Sequence, residues 1–239
     1  MKIAIIGAGA IGGYVGAKLA LAGEDVTFIV RGNNLKAIRK NGMKLIMQDG
    51  TEYVASKVKA SNNYAEVGAQ DIVILAMKAH QLASVVDELP QLLGPNTTVV
   101  TMQNGIPFWY FHKHGGRFES TRVHSVDPGG HISKMIPADQ VIGCVVYPAS
   151  ELIAPGVSAC FSNAGFKAPV LDNIRSEIWL KLWGNLTFNP ISGLTGSTLL
   201  DICQHPLSRE LAASMRREAQ QVAGKLGIGF RVTLEQRIA

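Results

Sequence analysis

The stretch KIAIIGAGAIGG, residues 2–13, constrains this chain more than any other. Its first half is a run of β-branched residues, fit for a strand buried on both faces. The glycines that come next fall in the pattern G-x-G-x-x-G at Gly7, Gly9 and Gly12. Each glycine has its own physical task. Gly7 makes the tight turn, Gly9 lets the backbone approach a pyrophosphate, and Gly12 lets helix and strand pack closely. The helix that opens there offers free N–H groups and a partial positive charge to an anion. The loop of Gly7, Ala8, Gly9, Ala10, Ile11 and Gly12 is therefore expected to hold a dinucleotide cofactor. The plainer alternative is a glycine-rich turn without a ligand.

Beyond this loop the chain keeps alternating between helix and strand. Residues 10–22 read as a helix stopped by Gly23. DVTFIV is a second strand, and NNLKAIRKNG a short helix ending at Gly42. Asp49-Gly50 between alternating runs signals a hairpin. DIVILAM is a buried strand, HQLASVVDELPQLLG reads as an amphipathic helix with Pro90 near its end, and TTVVTMQNG is a further strand. This order predicts a parallel, doubly wound sheet. Residues 106–161 are richer in loops, with QVIGCVVYPA as a strand and GVSACF as its antiparallel partner. Beyond residue 170 the chain turns helical. Asp172 or Asn173 can cap the first helix, and Pro206 opens the last long one. The expected fold class is α/β. A Rossmann-type domain at residues 1–170 precedes an all-helical C-terminal domain at residues 171–239.

Composition narrows the partners. The formal net charge is +5, but the 23 basic residues are spread out, without a Lys/Arg run interleaved with aromatics. That disfavours nucleic acid and suits a small anionic ligand. Cys144, Cys160 and Cys203 are odd in number and far apart, which argues for a reducing, cytoplasmic setting and against disulfides or zinc. The N-terminus lacks the pattern of a signal peptide, and no apolar run is long enough for a bilayer. His112 and His114 have no carboxylate or cysteine spacing around them, so no metal is expected.

Cofactor choice turns on the end of the second strand. An acidic residue there would accept from the ribose hydroxyls of NAD. This strand ends at Arg31, and Glu24 and Asp25 lie before it, at the wrong end. A guanidinium can fork onto a 2′-phosphate, so NADP(H) is expected, with Asn33 and Asn34 as additional donors. The alternative is an exposed Arg at a strand end.

Ligands of open α/β sheets bind outside the carboxyl ends of the strands. DIVILAM ends at Lys78, followed by His80 and Gln81, and TTVVTM ends at Gln103-Asn104-Gly105. Lys78 and Asn104 would project near the nicotinamide end of the cofactor. Taken singly, they are a solvated lysine and a helix cap. In IWLKLWGNLTFNP, Lys181, Asn185 and Asn189 recur every four residues. That spacing forms a slowly drifting stripe on an oily helix. An ammonium buried without partners costs several kcal/mol or loses its proton, so the stripe faces water or something polar. Glu177, one turn earlier, could instead pair with Lys181.

GAGAIG, Arg31, MKAHQ, QNG and KLWGNLTFNP occur in the order and spacing of the ketopantoate reductases, and the chain resembles that family to about residue 204. The most specific element is K-L-x-x-N-x-x-x-N-P. The resemblance implies NADPH-dependent reduction of a 2-keto acid, ketopantoate, in pantothenate synthesis. It implies Lys181 as general acid, Asn104, Asn185 and Asn189 as substrate contacts, and Lys78 as a lysine near cofactor and substrate. It leaves open another keto acid or an opine-type substrate, and a non-catalytic NADP-binding redox sensor. A homodimer through the Trp-rich helices fits the same picture. Two features depart from the family. Its helical domain continues through further helices with a serine and a glutamate that touch substrate, and no residue here matches them. The join from GVSACF to NAGFKAPV is also abrupt.

Overall fold

A computed structural model describes residues 1–160 and 168–238. The chain divides into two compact units, Met1–Gly115 with Glu119–Pro169, and Gly116–Phe118 with Val170–Ala239.

The first unit carries a six-stranded sheet in the order β5-β2-β1-β6-β7-β8. Its strands are β1 (Lys2–Ile6), β2 (Asp25–Ile29), β5 (Lys59–Ser61), β6 (Gln70–Leu75), β7 (Leu93–Thr101) and β8 (Val141–Gly143). Every neighbouring pair is parallel. A second sheet, ordered β4-β3-β10-β9, comprises β3 (Met43–Ile46), β4 (Glu52–Ala55), β9 (Ser150–Ala154) and β10 (Val157–Cys160).

Helix α1 (Ala10–Leu21) is held between the two sheets, and α2 (Gly32–Asn41), α3 (Tyr64–Val67) and α4 (His131–Met135) are the other α-helices of this unit among the described residues. Helix α1 contains an unbroken buried run from Gly12 to Ala17, which a helix with one wet face could not have. Its glycines explain the fit. A Cβ on Gly13 would lie 2.2 Å from Ser158 Oγ and 2.3 Å from Met43 Cε, both on the small sheet. A Cβ on Gly16 would lie 2.4 Å from the Phe28 ring on the large one. Ile3, Ile5, Phe28, Met43 and Leu45 fill the core around it, and full burial of each is worth about 1.5–3 kcal/mol. Within that core, burial and a hydrogen bond to Cys160 push the Tyr14 phenol up to about 12, so it stays neutral. The opposite face of the large sheet packs Ala4, Ile6, Val73 and Leu75 against Leu82, Val86, Ile132 and Ile136.

Three local expectations change. The segment read as one amphipathic helix forms two 3-10 stretches, Ala79–Ser84 and Leu89–Leu92. Pro90 has no N–H for a continuing α-helix, and the β-branched pair Val85-Val86 weakens helical preference. The apolar positions Leu82, Val86, Leu89 and Leu92 are nevertheless all buried. QVIGCVVYPA supplies only the short strand β8, which pairs in parallel with β7. The antiparallel partner of β10 is β9, with β3 on its other side. The abrupt join after GVSACF falls on residues 161–167, outside the described residues.

The second unit is built from α5 (Ile174–Thr195), α6 (Leu199–Gln204), α7 (Pro206–Lys225) and α8 (Leu234–Ile238). Asn173 caps α5 by accepting the Arg175 N–H at 3.1 Å, and Gly196 closes it in a left-handed conformation. Trp183, fully buried on α5, stacks on Phe230 at 4.1 Å and 13°. Its Nε1–H donates to the Arg216 carbonyl at 3.1 Å. The buried Arg216 guanidinium lies 4.6 Å from the Phe188 ring centroid and 5.9 Å from that of Trp183, where the aromatic faces favour a cation. Among the described residues, no helix is long and apolar enough to cross a membrane.

Candidate functional site

The strand register assembles one end of the large sheet. Ile6 pairs with Ile29 on one side and Leu75 on the other, and Leu75 pairs with Thr101. Four parallel strands thus finish level with one another. The glycine loop comes directly after β1, Arg31 lies two residues past β2, Lys78 three past β6, and Asn104 three past β7. The cofactor and strand-end residues proposed from the sequence in this unit therefore share one edge.

Within the loop, the three glycines differ in what requires them. Gly7 has φ +94°, a conformation that side chains rarely adopt, and its N–H donates to the Ile29 carbonyl at 3.1 Å. A Cβ on Gly12 would collide with the Gly7 carbonyl oxygen. Gly9 has φ −79° and ψ −161°, open to any residue, and among the described residues a Cβ there would meet nothing within 4 Å. Neither backbone nor packing demands a glycine at position 9. Ala8 is buried, while Ala10 and Ile11 are half-buried at the helix start.

Arg31 is exposed, has extended backbone, and stands at the N-cap of α2 (Gly32–Asn41), where the helix dipole also favours an anion. The charge of Arg31 acts against the shift of buried Tyr64, whose phenol burial pushes up to about 12, with Glu88 adding to the rise. Asn34, expected as a phosphate donor, has its side-chain amide engaged by protein: Nδ2 donates to the Ala8 carbonyl at 3.4 Å and Oδ1 accepts from the Gly156 N–H at 3.0 Å. Lys78 and His80 are exposed, and the Lys78 N–H donates to Gln81 Oε1 at 3.1 Å. Gln103 Nε2 donates to the Met77 carbonyl at 3.3 Å, steadying the turn before exposed Asn104. Among the described residues, no cluster of three or more His, Cys, Asp or Glu side chains could hold a metal.

In the helical unit, α5 carries the polar stripe as one continuous element. Lys181 and Asn185 are half-buried and Asn189 is exposed, beside buried Leu180 and Trp183. Pro190 comes after Asn189 inside the helix, so no N–H is available there for the Leu186 carbonyl. Glu177 accepts from both Arg231 Nε and Nη2, at 2.6 and 3.3 Å. Two residues around the glycine loop escape a reading of the sequence alone. Ser158 is fully buried on β10 with its hydroxyl 3.4 Å from the Gly9 carbonyl, and Gly156 meets Asn34. A serine inside an otherwise apolar strand was the available signal.

Comparison with known proteins gives the family. The family description Ketopantoate reductase PanE/ApbA matches residues 3–115, and its C-terminal counterpart matches residues 173–239. The chain belongs to the ketopantoate reductase family. This is a family of oxidoreductases acting on CH–OH groups. A 2-dehydropantoate 2-reductase of Mesorhizobium japonicum is 50% identical over 264 aligned residues, covering 100% of this chain and 80% of the relative. That aligned length exceeds the 239 residues here, so the relative carries internal residues without counterparts in this chain. A crystal structure of a ketopantoate reductase candidate from Ralstonia solanacearum is 36% identical with a TM-score of 0.91, over 99% of this chain and 80% of that one. A D-mandelate dehydrogenase crystallised with NADH and anilino(oxo)acetate shares the fold, with a TM-score of 0.81 at 22% identity over 100% and 78% of the two chains.

Proposed function

We propose that this protein uses NADPH to reduce a small 2-keto acid, 2-dehydropantoate in the first instance, to the 2-hydroxy acid. The observation that carries the reading is the 50% identity, over the whole chain, to a 2-dehydropantoate 2-reductase. The open space beside Gly9 supports a ligand at the loop, because nothing among the described residues excludes a side chain there.

In this reading residues 1–170 hold the cofactor and residues 171–239 serve the substrate. The loop of Gly7, Ala8, Gly9, Ala10, Ile11 and Gly12 takes the pyrophosphate on its N–H groups, at the positive end of α1. Arg31 takes the 2′-phosphate, a task for which an acidic residue would be repulsive. Lys78 and Asn104 attend the nicotinamide end and the substrate, and the amides of Asn185 and Asn189 hydrogen-bond the keto acid. NADPH, when bound, supplies the hydride for the keto carbon. As the C=O electron pair moves onto oxygen, Lys181 stabilises the developing charge and donates its proton there. The neutral amine then regains a proton from water.

A panel of 2-keto acids, followed by NADPH oxidation, tests the reaction, and reduction of none of them sinks it. Lys181→Ala tests the acid. Turnover should fall by about 10²–10⁴-fold while NADPH affinity holds. A loss of less than tenfold would remove Lys181 from that role.

A further inference from the structure

Asn34 and Ser158 grip the glycine loop from outside the motif. Asn34 lies on the first turn of α2, three residues past Arg31. It reaches back to the Ala8 carbonyl with Nδ2 and is itself anchored through Oδ1 on the Gly156 N–H, in the turn between β9 and β10. Ser158 comes from the small sheet. Its hydroxyl donates to the Gly9 carbonyl at 3.4 Å, the same oxygen that receives the Gly13 N–H at 2.8 Å. Ser158 is fully buried, so its hydroxyl has to find its partner within the protein. The helix makes room for it, since a Cβ on Gly13 would stand 2.2 Å from Ser158 Oγ.

The planar trans peptide gives these two bonds their consequence. A carbonyl and the N–H of the next residue point in opposite directions across one rigid unit. Holding the Ala8 carbonyl fixes the Gly9 N–H, and holding the Gly9 carbonyl fixes the Ala10 N–H. These N–H groups lie at the helix start, where donors have no intrahelical partner. We propose that Asn34 and Ser158 are positioning residues for the dinucleotide, acting through the Ala8 and Gly9 carbonyls to aim the Gly9 and Ala10 N–H groups at the pyrophosphate. This rests on the reading of the loop as a dinucleotide site.

The test compares wild type, Asn34→Ala and Ser158→Ala in direct binding of NADPH, NADH and 2′-AMP. The last carries a 2′-phosphate and no pyrophosphate. Each variant should weaken NADPH and NADH in the same proportion, about 3- to 10-fold. Affinity for 2′-AMP should stay within twofold of wild type. A variant that merely loosens the fold would lose all three ligands together. Asn34 is only partly buried, so its variant stands as a second probe if the Ser158 variant misfolds. Unchanged dinucleotide affinity in folded variants, or a parallel loss of 2′-AMP, overturns the proposal. Wild type that binds neither dinucleotide overturns the cofactor reading and the grip with it, a result separate from variant-only effects.

Discussion

A Cβ placed on Gly12 would stand 1.9 Å from the carbonyl oxygen of Gly7. That oxygen is backbone and cannot turn aside as a side chain would. Gly12→Ala should therefore force α1 away from β1 and cost about 2–3 kcal/mol or more. Gly9→Ala meets no atom of the described residues within 4 Å at an ordinary φ, so thermal unfolding should be unchanged or slightly improved. Its dinucleotide affinity should nonetheless fall by at least about tenfold. A Gly9→Ala variant that binds NADPH like wild type would remove the ligand as the reason for that glycine.

Arg31 separates the two nicotinamide cofactors. It is exposed at the start of α2, so truncating it should leave the fold alone. A charge-assisted bond to the 2′-phosphate is worth roughly 1.5–3 kcal/mol, so Arg31→Ala should weaken NADPH about 10- to 100-fold. NADH, without that phosphate, should bind Arg31→Ala and wild type within twofold of each other. Titration with both cofactors decides the matter, and equal losses would mean that Arg31 acts on something the cofactors share.

The glycine loop and its strand were legible because they are local. A buried β-branched run, three spaced glycines and a helix all lie within residues 2–21. The strand-end residues were legible for the same reason: Lys78 and Asn104 come after apolar runs that have to be strands. Burial in residues 79–92 was readable, but its backbone was not. Leu82, Val86, Leu89 and Leu92 are spaced by three or four, which serves a 3-10 turn as well as an α-helix. The Asp49-Gly50 hairpin of β3 and β4 was readable too, but the pairing that completes the small sheet was hidden more deeply. Val157 pairs with Lys44, more than a hundred residues away, and no periodicity reports such a partner. Ser158 was missed with it, since its meaning depends on that long-range pairing.

Trp183 organises the helical unit through its burial, a ring stack and a hydrogen bond, which substitutions can separate. It is fully buried, stacks on Phe230, and donates to the Arg216 carbonyl. Trp183→Ala should destabilise by about 3–5 kcal/mol, as a cavity opens beside a buried guanidinium. Trp183→Phe keeps the apolar face and loses the N–H, which should cost about 1–2 kcal/mol. Phe230→Ala should fall between them, because Phe230 is only partly buried. Urea unfolding measures all three. Equal losses for Ala and Phe at position 183 would mean that the hydrogen bond, and not the stacking, dominates.

Asp127 gives the fold an acid-sensitive point. Its fully buried carboxylate accepts the Ile132 N–H at 2.8 Å, the Ser133 N–H at 3.1 Å and the Ser133 hydroxyl. These bonds secure the start of α4 (His131–Met135) and hold Ile132 in the core. Burial alone would raise the carboxyl. The Ser133 hydroxyl, the two N–H groups and the Arg122 charge outweigh it and hold Asp127 below the usual carboxylate range. A depressed folded pKa means that the unfolded chain takes up the proton first as the solution is acidified. The stabilisation is therefore complete above the unfolded value, near 3.9, and drains away as pH falls through the folded one. Asp127→Asn keeps one acceptor and loses the charge. At pH 7 it should be less stable than wild type by about 1–3 kcal/mol, and the gap should narrow once the pH falls below about 4. Denaturant midpoints across that range report the difference, and a gap that stays constant with pH would show that the Asp127 charge does not support the fold.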